Sequence, residues 1–175
     1  MRVALLVLLS NPLFAAIIYT ATRKTAERLS EYLVNQGWES AAFHAGLSSP
    51  VKRQIQEQFI GGETRVICAT NAFGMGIDRP DVRAVIHLAP PGSIEAYYQE
   101  VGRAGRDGQP AHGLLLTSSG DLGLRRRLIG YSGDAEHDPD HVLQQWRLFL
   151  DLMRYVEAGT CRHDFILRYF GDEQE

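Results

Sequence analysis

Two arginines three residues apart stand in a glycine-rich segment that runs from Gln99 to Gly108. Arg103 and Arg106 follow a helical stretch that Ser93 can cap, so we expect both side chains to project to one side of a helix end. A guanidinium group presents a planar fork of donors that matches phosphate oxygens. Exposed arginines more often form weak surface ion pairs, but flanking glycines are an unusual choice for a helix end without a function. The segment therefore predicts a phosphate site.

A second glycine-rich segment runs from Thr70 to Asp78 and combines a hydroxyl, glycines and a carboxylate. Gly74 and Gly76 allow the backbone to approach a phosphate or sugar closely, and Asp78 can accept hydrogen bonds from ribose hydroxyls. The segment fails the dinucleotide-binding fingerprint, because Arg79 stands where the third small residue should be. It follows a predicted strand, and such loops bind ligands in open parallel sheets.

Short apolar runs alternate with helical periodicity along most of the chain, which is typical of an α/β fold with a parallel sheet flanked by helices. The predicted strands are Ala15–Tyr19, Ser40–His44, Val66–Ala69, Ala84–Leu88 and Leu114–Thr117. Continuous apolar runs such as Val66–Ala69 indicate interior strands that are buried on both faces.

The helices that connect these strands are predicted from periodicity and from their end residues. They cover Thr22–Gln36, Ser49–Gly61 and Ser93–Gly102. After Gly120 only helical patterns remain, and the polar, acidic stretch 130–140 indicates a linker. An amphipathic helix then begins at Pro139. We therefore predict a lobe over residues 1–130 and a linker with a helical appendage over residues 131–175.

The composition fits one sizeable core and a small appendage, since the chain has 175 residues of which 45% are hydrophobic. The formal net charge of −3 does not indicate a polyanion partner, so any nucleic-acid contact must come from local basic clusters. The clustered basic residues are Arg23, Lys24, Arg28, Lys52, Arg53, Arg103, Arg106, Arg125, Arg126 and Arg127.

Two cysteines, Cys68 and Cys161, lie far apart and predict neither a disulfide framework nor a closed metal site, which favours a reducing cytoplasm. The stretch from Met1 to Leu9 imitates a secretory leader, but Asn11 interrupts it and the chain then continues into a predicted core strand. A secreted protein with a cleaved leader is therefore the less favoured alternative. No apolar stretch approaches the roughly 20 residues that a membrane span needs, so no membrane partner is expected.

The ordered motifs resemble those of the RecQ family of ATP-dependent DNA helicases. Ala69–Pro80 looks like helicase motif V, and Gln99–Arg106 looks like motif VI. Upstream, Ile17–Arg23 resembles motif IV, and His44–Leu47 resembles a signature loop that touches the DNA backbone in such enzymes. The residues of motifs V and VI resemble those of RecQ helicases more closely than those of RNA helicases of the DEAD-box type.

This resemblance implies the second RecA-like lobe of a motor that unwinds duplex DNA in the 3′ to 5′ direction, in DNA repair and recombination. The sequence contains no Gly-x-x-x-x-Gly-Lys-Ser/Thr phosphate loop. The resemblance therefore implies a partner, the first RecA-like lobe, which binds ATP with magnesium and without which this chain is inactive. The alternative is a non-catalytic DNA-binding or interaction module, which the missing phosphate loop supports.

On the nucleotide side, the resemblance makes Arg106 the arginine finger that stabilises charge on the transferred phosphoryl group. Arg103 and Gln99 support the same end of the polyphosphate. Gly76 and Asp78 face the nucleotide ribose or couple the nucleotide to DNA. These roles are carried over from the motifs.

On the DNA side, the resemblance assigns phosphate contacts on single-stranded and duplex DNA to Thr20, Arg23, His44, Gly46 and Thr70. Such contacts are independent of base sequence and weaken as salt rises. For each of the two threonines, a purely structural role in bonding turn or helix backbone is an equally weighted alternative.

The end of the sequence resembles the start of the RecQ zinc-binding subdomain, with Cys161 and His163 followed by Leu167–Asp172. A structural zinc site needs four ligands, and these two residues are too few even if His137 and His141 are added in principle, since linker histidines are more often solvated. We therefore expect no bound zinc in this chain.

Overall fold

The computed structural model describes residues 15–74, 77–130 and 138–172. Gly76, the leader-like stretch at the N-terminus and most of the predicted linker lie outside these residues. The chain divides into two compact units. The first contains the chain up to Pro90 together with Gln99–Ser118, and the second contains Pro91–Tyr98 and Ser119–Glu175.

The first unit is built on a five-stranded parallel sheet with the strand order β2-β3-β1-β4-β5. The strands are β1 (Ala15–Tyr19), β2 (Ser40–Phe43), β3 (Val66–Ala69), β4 (Val82–His87) and β5 (His112–Leu115). Successive residues of β1 point to opposite faces, so Ile17 joins one core cluster and Ile18 the other. The predicted α/β fold with a parallel sheet flanked by helices is confirmed.

Two helices cover the sheet within this unit, α1 (Arg23–Asn35) and α2 (Ser49–Gly61). Ala26 and Leu33 of α1 pack into the cluster that contains Ile18, and Phe59 of α2 packs into the cluster that contains Ile17. Each helix therefore protects one face of the sheet from water, as parallel strands require.

Both β4 and β5 begin two residues before the positions predicted from their apolar runs. The apolar runs did not predict these starts because polar residues lie there. Arg83 is the second residue of β4, and His112 is the first residue of β5, where it pairs with Ala84. β5 is an edge strand whose first residues, His112 and Gly113, are exposed, so burial does not demand an apolar side chain there.

The third helix, α3 (Ile94–Val101), begins where its capping residue predicts. The Ala96 N–H donates to Ser93 Oγ at 3.2 Å, which satisfies one of the free N–H groups of the first turn. The helix ends at Val101, so Arg103 and Arg106 lie in the turn after it and not on its last turn. Gly105 adopts φ 67° in this turn, where a Cβ would lie 3.0 Å from the Gln109 carbonyl oxygen, so only glycine fits.

The second unit contains the start of α3 and three further helices, α4 (Asp121–Gly130), α5 (Pro139–Glu157) and α6 (Arg162–Tyr169). Asp138 caps α5 by accepting a hydrogen bond from the His141 N–H at 3.0 Å. Phe149, Leu152 and Tyr155 form the buried face of α5. None of the described helices is long and apolar enough to cross a membrane.

Arg125, one of the clustered basic residues, is largely withdrawn from solvent within the second unit. Its Nη2 donates to Gln145 Oε1 at 2.9 Å, and its guanidinium lies 5.5 Å from the Phe149 ring centroid. A Cβ on Gly92 would come within 2.8 Å of the same Nη2. Burial lowers the pKa of Arg125. This arginine therefore holds helices together, and only its neighbours Arg126 and Arg127 are exposed.

A hydrogen bond joins α6 to the start of α3, because the Tyr169 hydroxyl donates to Glu95 Oε1 at 2.7 Å. Burial acts to raise the pKa of the Glu95 carboxyl, but the hydrogen bonds from Tyr169 and Ser93 outweigh it and hold that pKa below its usual value. Burial, followed by the bond to Glu95, raises the pKa of Tyr169 to about 12. The phenol is therefore the donor and the carboxylate the acceptor at neutral pH.

Tyr169→Phe is expected to lower the free energy of local opening of α6 by about 1 kcal/mol at neutral pH. The bond requires ionised Glu95, so its contribution is complete above the ordinary carboxyl pKa and is lost as pH falls through the lowered folded pKa. Amide hydrogen exchange of α6 over a pH series measures this difference. The exposed Tyr98, changed to Phe, is the control. A deficit that stays constant into acid contradicts the prediction.

Candidate functional site

Three of the residues predicted to contact DNA meet at the carboxyl edge of the sheet. Thr20, His44 and Thr70 are the first residues after β1, β2 and β3, which are adjacent parallel strands. The Thr70 N–H donates to the Phe43 carbonyl at 3.1 Å, and the Thr20 N–H donates to the Ala69 carbonyl at 2.7 Å. All three side chains are nine-tenths buried or more.

The Thr20 hydroxyl is engaged by the main chain. Its oxygen lies 3.2 Å from the carbonyl oxygens of both Thr22 and Ala69, and its single hydrogen can be donated to either. Thr20 therefore has the structural role that was the alternative to DNA binding, since its hydroxyl bonds backbone carbonyls. To donate to a phosphate, the hydroxyl would have to give up its bond to these carbonyls.

The other two predicted DNA contacts lie beside His44. Gly46 lies between the Arg23 guanidinium, which comes from the first turn of α1, and the His44 ring. The His44 Nε2 atom lies 3.0 Å from Oε1 of Glu27, an exposed carboxylate one turn further along α1. The structure thus brings Arg23, His44 and Gly46 together, and adds Glu27, which no sequence motif indicated.

The loop after β3 is anchored by buried apolar side chains on both sides of its glycines. Phe73 packs edge-on against Phe43 and Phe59, with ring centroids 4.8 and 5.8 Å apart. Ile77 is also buried in this cluster. Asp78, the next residue, has a side chain that is 86% exposed. The residue before Asp78 is therefore buried, while the Asp78 carboxylate itself faces solvent.

Arg106 pairs with that carboxylate. Its Nη1 lies 3.2 Å from Asp78 Oδ1, its Nε lies 3.4 Å from the Gly102 carbonyl, and its side chain is 41% exposed. The pair joins two residues predicted to face the nucleotide. Exposed ion pairs contribute little stability, so Arg106 can exchange Asp78 for another anion at little cost.

Arg103 has different surroundings, although it was predicted to project to the same side as Arg106. A Cβ on Gly74 would lie 2.5 Å from Arg103 Nη2, so the guanidinium fills the space that the glycine leaves. It also lies beside the Tyr19 hydroxyl, which donates to the Phe73 carbonyl at 3.0 Å. The Arg103 Nε is buried without a hydrogen-bond partner among the described residues. Gln99, the remaining predicted residue, is exposed on α3.

A buried polar network that sequence reasoning missed underlies this arrangement. His87, at the end of β4, places its Nε2 2.7 Å from Glu100 Oε2, and the two side chains are 1% and 12% exposed. The His87 ring stacks on Tyr19 with centroids 5.1 Å apart and 16° between planes. Burial, and then the charge of Glu100, raises the pKa of Tyr19. Within the first unit, the network joins Glu100, in the last turn of α3, to β4 and β1.

Arg79 was also missed, because sequence reasoning noted it only as a departure from a fingerprint. It is 9% exposed, binds both carboxylate oxygens of Asp81 at 2.7 and 3.0 Å, and lies 4.8 Å from the Phe59 ring. Its Nη1 also donates to the carbonyls of Phe59 and Thr64 at 2.6 and 3.1 Å. The hydrogen bonds from Arg79 hold the pKa of Asp81 below its ordinary value, against the effect of burial.

The side chains present do not fit a zinc ion. Within residues 15–74, 77–130 and 138–172, no three His, Cys, Asp or Glu side chains are grouped closely enough to hold a metal. Cys161 and His163 are both exposed, and two ligands leave half of a tetrahedral site unfilled. The nucleotide side fits a polyphosphate better, since Arg106 is an exposed cation beside Asp78, a carboxylate that can accept hydrogen bonds from ribose hydroxyls.

Sequence comparison gives two matches along the chain. The profile of the Helicase conserved C-terminal domain matches residues 2–108, and that of RecQ zinc-binding matches residues 119–175. The ATP-dependent DNA helicase RecQ of Bacillus subtilis is 41% identical over 160 residues, 91% of this chain and 26% of the relative. RecQ-like DNA helicase BLM of Xenopus laevis is 41% identical over 165 residues, 93% of this chain and 12% of the relative.

Solved structures with the same fold include helicases. A DEAD box protein from the hyperthermophile Methanococcus jannaschii superposes with a TM-score of 0.60 at 26% identity, over 71% of this chain and 34% of that chain. Mycobacterium smegmatis helicase Lhr bound to ssDNA and AMP-PNP superposes with a TM-score of 0.58 at 26% identity, over 74% of this chain and 17% of that chain.

The sheet order, the helices and the matched profile define a helicase C-terminal domain. With its RecQ relatives, the chain belongs to the RecQ family of superfamily 2 helicases, as part of their C-terminal region. It spans about a quarter of the length of the Bacillus subtilis relative. The family predicted from the motifs is confirmed.

Proposed function

We propose that the chain is the C-terminal motor lobe of an ATP-dependent RecQ-like helicase that unwinds duplex DNA in the 3′ to 5′ direction, in DNA repair and recombination. The observation that supports this most is the exposed pair of Arg106 and Asp78, which the fold brings to 3.2 Å from two separate segments of the chain. Both residues belong to segments that resemble helicase motifs. The relatives' names as DNA helicases support the substrate class.

In this proposal the nucleotide site is completed by a first RecA-like lobe that carries the phosphate loop and binds ATP with magnesium. Arg106 is the arginine finger, and Arg103 and Gln99 support the polyphosphate end. Asp78 and Gly76 face the ribose or couple the nucleotide to DNA. A cation placed on the developing charge stabilises the transition state for phosphoryl transfer.

The DNA contacts in this proposal come from Thr20, Arg23, His44, Gly46 and Thr70, which would hold backbone phosphates of one strand. Four of these lie at or beside the carboxyl edge of the sheet, and the fifth, Arg23, adds a cation from α1. The Lhr structure with bound ssDNA supports nucleic acid as a ligand of this fold. Binding through phosphates is independent of base sequence.

The proposed compartment is the cytoplasm, because both cysteines are unpaired: Cys68 is buried, which raises its pKa to about 12, and Cys161 is exposed. The division into a lobe over residues 1–130 and an appendage over residues 131–175 stays a prediction, as does the absence of bound zinc.

Mixing this chain with the first lobe of a RecQ relative tests the motor function. We expect negligible ATP hydrolysis from the chain alone, because the site has one side only, and turnover stimulated by single-stranded DNA from the mixture. Steady-state phosphate release measures both. Binding of DNA by the chain without any gain in turnover over the isolated first lobe contradicts the motor function and favours a non-catalytic DNA-binding module.

A further inference from the structure

The His44 ring is buried and held at one nitrogen only. The residue is 4% exposed, its Nε2 lies 3.0 Å from Glu27 Oε1, and its Nδ1 is buried without a hydrogen-bond partner among the described residues. A buried nitrogen without a partner is costly in a folded protein. A ligand that supplies the missing bond would remove this cost.

The space in front of this nitrogen is lined by a cation and kept open by a glycine. A Cβ on Gly46 would lie 3.2 Å from His44 Nδ1 and 3.0 Å from Arg23 Nη1. A side chain at position 46 would therefore crowd both nitrogens, which border the same space beside the Gly46 backbone. Without that side chain, one oxygen of an anion can approach the imidazole and the guanidinium together.

The two neighbours of the ring fix its protonation. Glu27 is a carboxylate and a phosphate oxygen is an acceptor, so a ring that bonds both must carry a proton on each nitrogen. A neutral ring that donates Nε2–H to Glu27 turns the lone pair of Nδ1 toward the incoming oxygen, which repels it.

We propose that His44 binds a backbone phosphate of DNA only in its doubly protonated form, so that DNA binding takes up one proton, and that Glu27 is the positioning residue that imposes this requirement. The inference rests on the proposed DNA-binding function. The proton comes from solvent and is bound at Nδ1, where the phosphate oxygen accepts it in a hydrogen bond. Binding at this site therefore strengthens as pH falls.

Other charges near the ring do not change this sign. The charged groups that the described contacts place against it are Glu27 and Arg23, both on α1. Arg23 keeps its charge at every relevant pH, so it contributes affinity without pH dependence. Thr20 and Thr70, at the ends of the neighbouring strands, do not titrate.

The test measures the affinity of the 175-residue chain for a fluorescein-labelled 20-nucleotide oligothymidylate, by anisotropy from pH 5.5 to 8.5 at constant salt. One linked proton changes the dissociation constant by at most about tenfold per pH unit. We expect Glu27→Gln to flatten this dependence and to keep the affinity at high pH, because a glutamine amide can donate to Nε2 and leave a neutral ring with Nδ1–H. Glu31→Gln, the same charge change one turn further along the exposed side of α1, is expected to keep the parent's slope.

A second measurement does not depend on a variant. Nitrogen-15 NMR of the labelled imidazoles is expected to show both nitrogens of His44 protonated with the oligonucleotide bound. Salt-dependent binding with a pH slope that Glu27→Gln leaves unchanged, or a neutral His44 in the complex, overturns the inference and leaves DNA binding in place. Absence of salt-dependent binding overturns both.

Discussion

Arg106→Ala, in this chain mixed with a first lobe, is expected to lower DNA-stimulated ATP turnover by about 10³-fold or more. The side chain is exposed and its ion pair with Asp78 is a weak surface contact, so the loss of Arg106 is expected to cost little stability. Loss of the guanidinium removes a cation from the charge that develops on the transferred phosphoryl group. The effect should therefore fall on kcat and not on stability, measured by steady-state phosphate release and thermal unfolding.

Arg154→Ala is the matched control, because Arg154 also forms an exposed ion pair, at 2.7 Å from Asp151, with a side chain that is 74% exposed. Arg154→Ala removes a guanidinium from a helix surface that has no proposed role. Turnover is therefore expected to stay within twofold of the parent's. Asp78→Asn separates the two partners, since it releases Arg106 without deleting it. Full turnover with Arg106→Ala would mean that another residue is the finger.

Arg79→Ala is expected to lower the free energy of unfolding by about 3 kcal/mol or more. The guanidinium is buried and satisfies the carbonyls of Phe59 and Thr64 as well as the Asp81 carboxylate. Its removal leaves acceptors without donors and takes a cation off the Phe59 ring. Urea unfolding followed by circular dichroism measures the change.

Arg79→Lys recovers only part of this loss, because an ammonium cannot bond Asp81 with two parallel N–H groups. Arg53→Ala, an exposed arginine on α2, is the control and is expected to change stability by less than about 0.5 kcal/mol. The lowered pKa of Asp81 adds a pH signature: its contribution is complete above the ordinary carboxyl pKa and is lost as pH falls through the lowered value. A variant as stable as the parent at neutral pH would show that Arg79 is dispensable.

The sheet and the edge on which the site stands were predictable, because buried parallel strands leave continuous apolar runs in the sequence. The positions of Thr20 and Thr70 followed from where those runs end, whereas His44 was predicted as the last residue of its strand and lies just after it. The pairing of Glu27 with His44 did not, since the two are 17 residues apart on different elements. Only the packing of α1 on the sheet brings them together.

The same reason explains the unpredicted surroundings of Arg103. The sequence predicted equivalent positions for the two arginines, because they are the same residue type and lie three residues apart. However, α3 ends before either of them. The turn that follows sends one guanidinium over Gly74 and leaves the other in solvent. The His87–Glu100 pair depends on the register between β4 and α3, which no local pattern encodes.

Asp78 and Arg106 each have neighbours in the chain that are buried or hydrogen-bonded to the main chain. Asp78 stands between Ile77 and Arg79, which are both buried, and the Gly105 N–H next to Arg106 donates to the Val82 carbonyl at 2.9 Å. Breaking the ion pair therefore frees two side chains and leaves the buried or hydrogen-bonded neighbours of both residues as they are. An anion that replaces Asp78 then pairs with a guanidinium on a main chain that is already anchored. Little further ordering of the main chain therefore opposes binding of the anion.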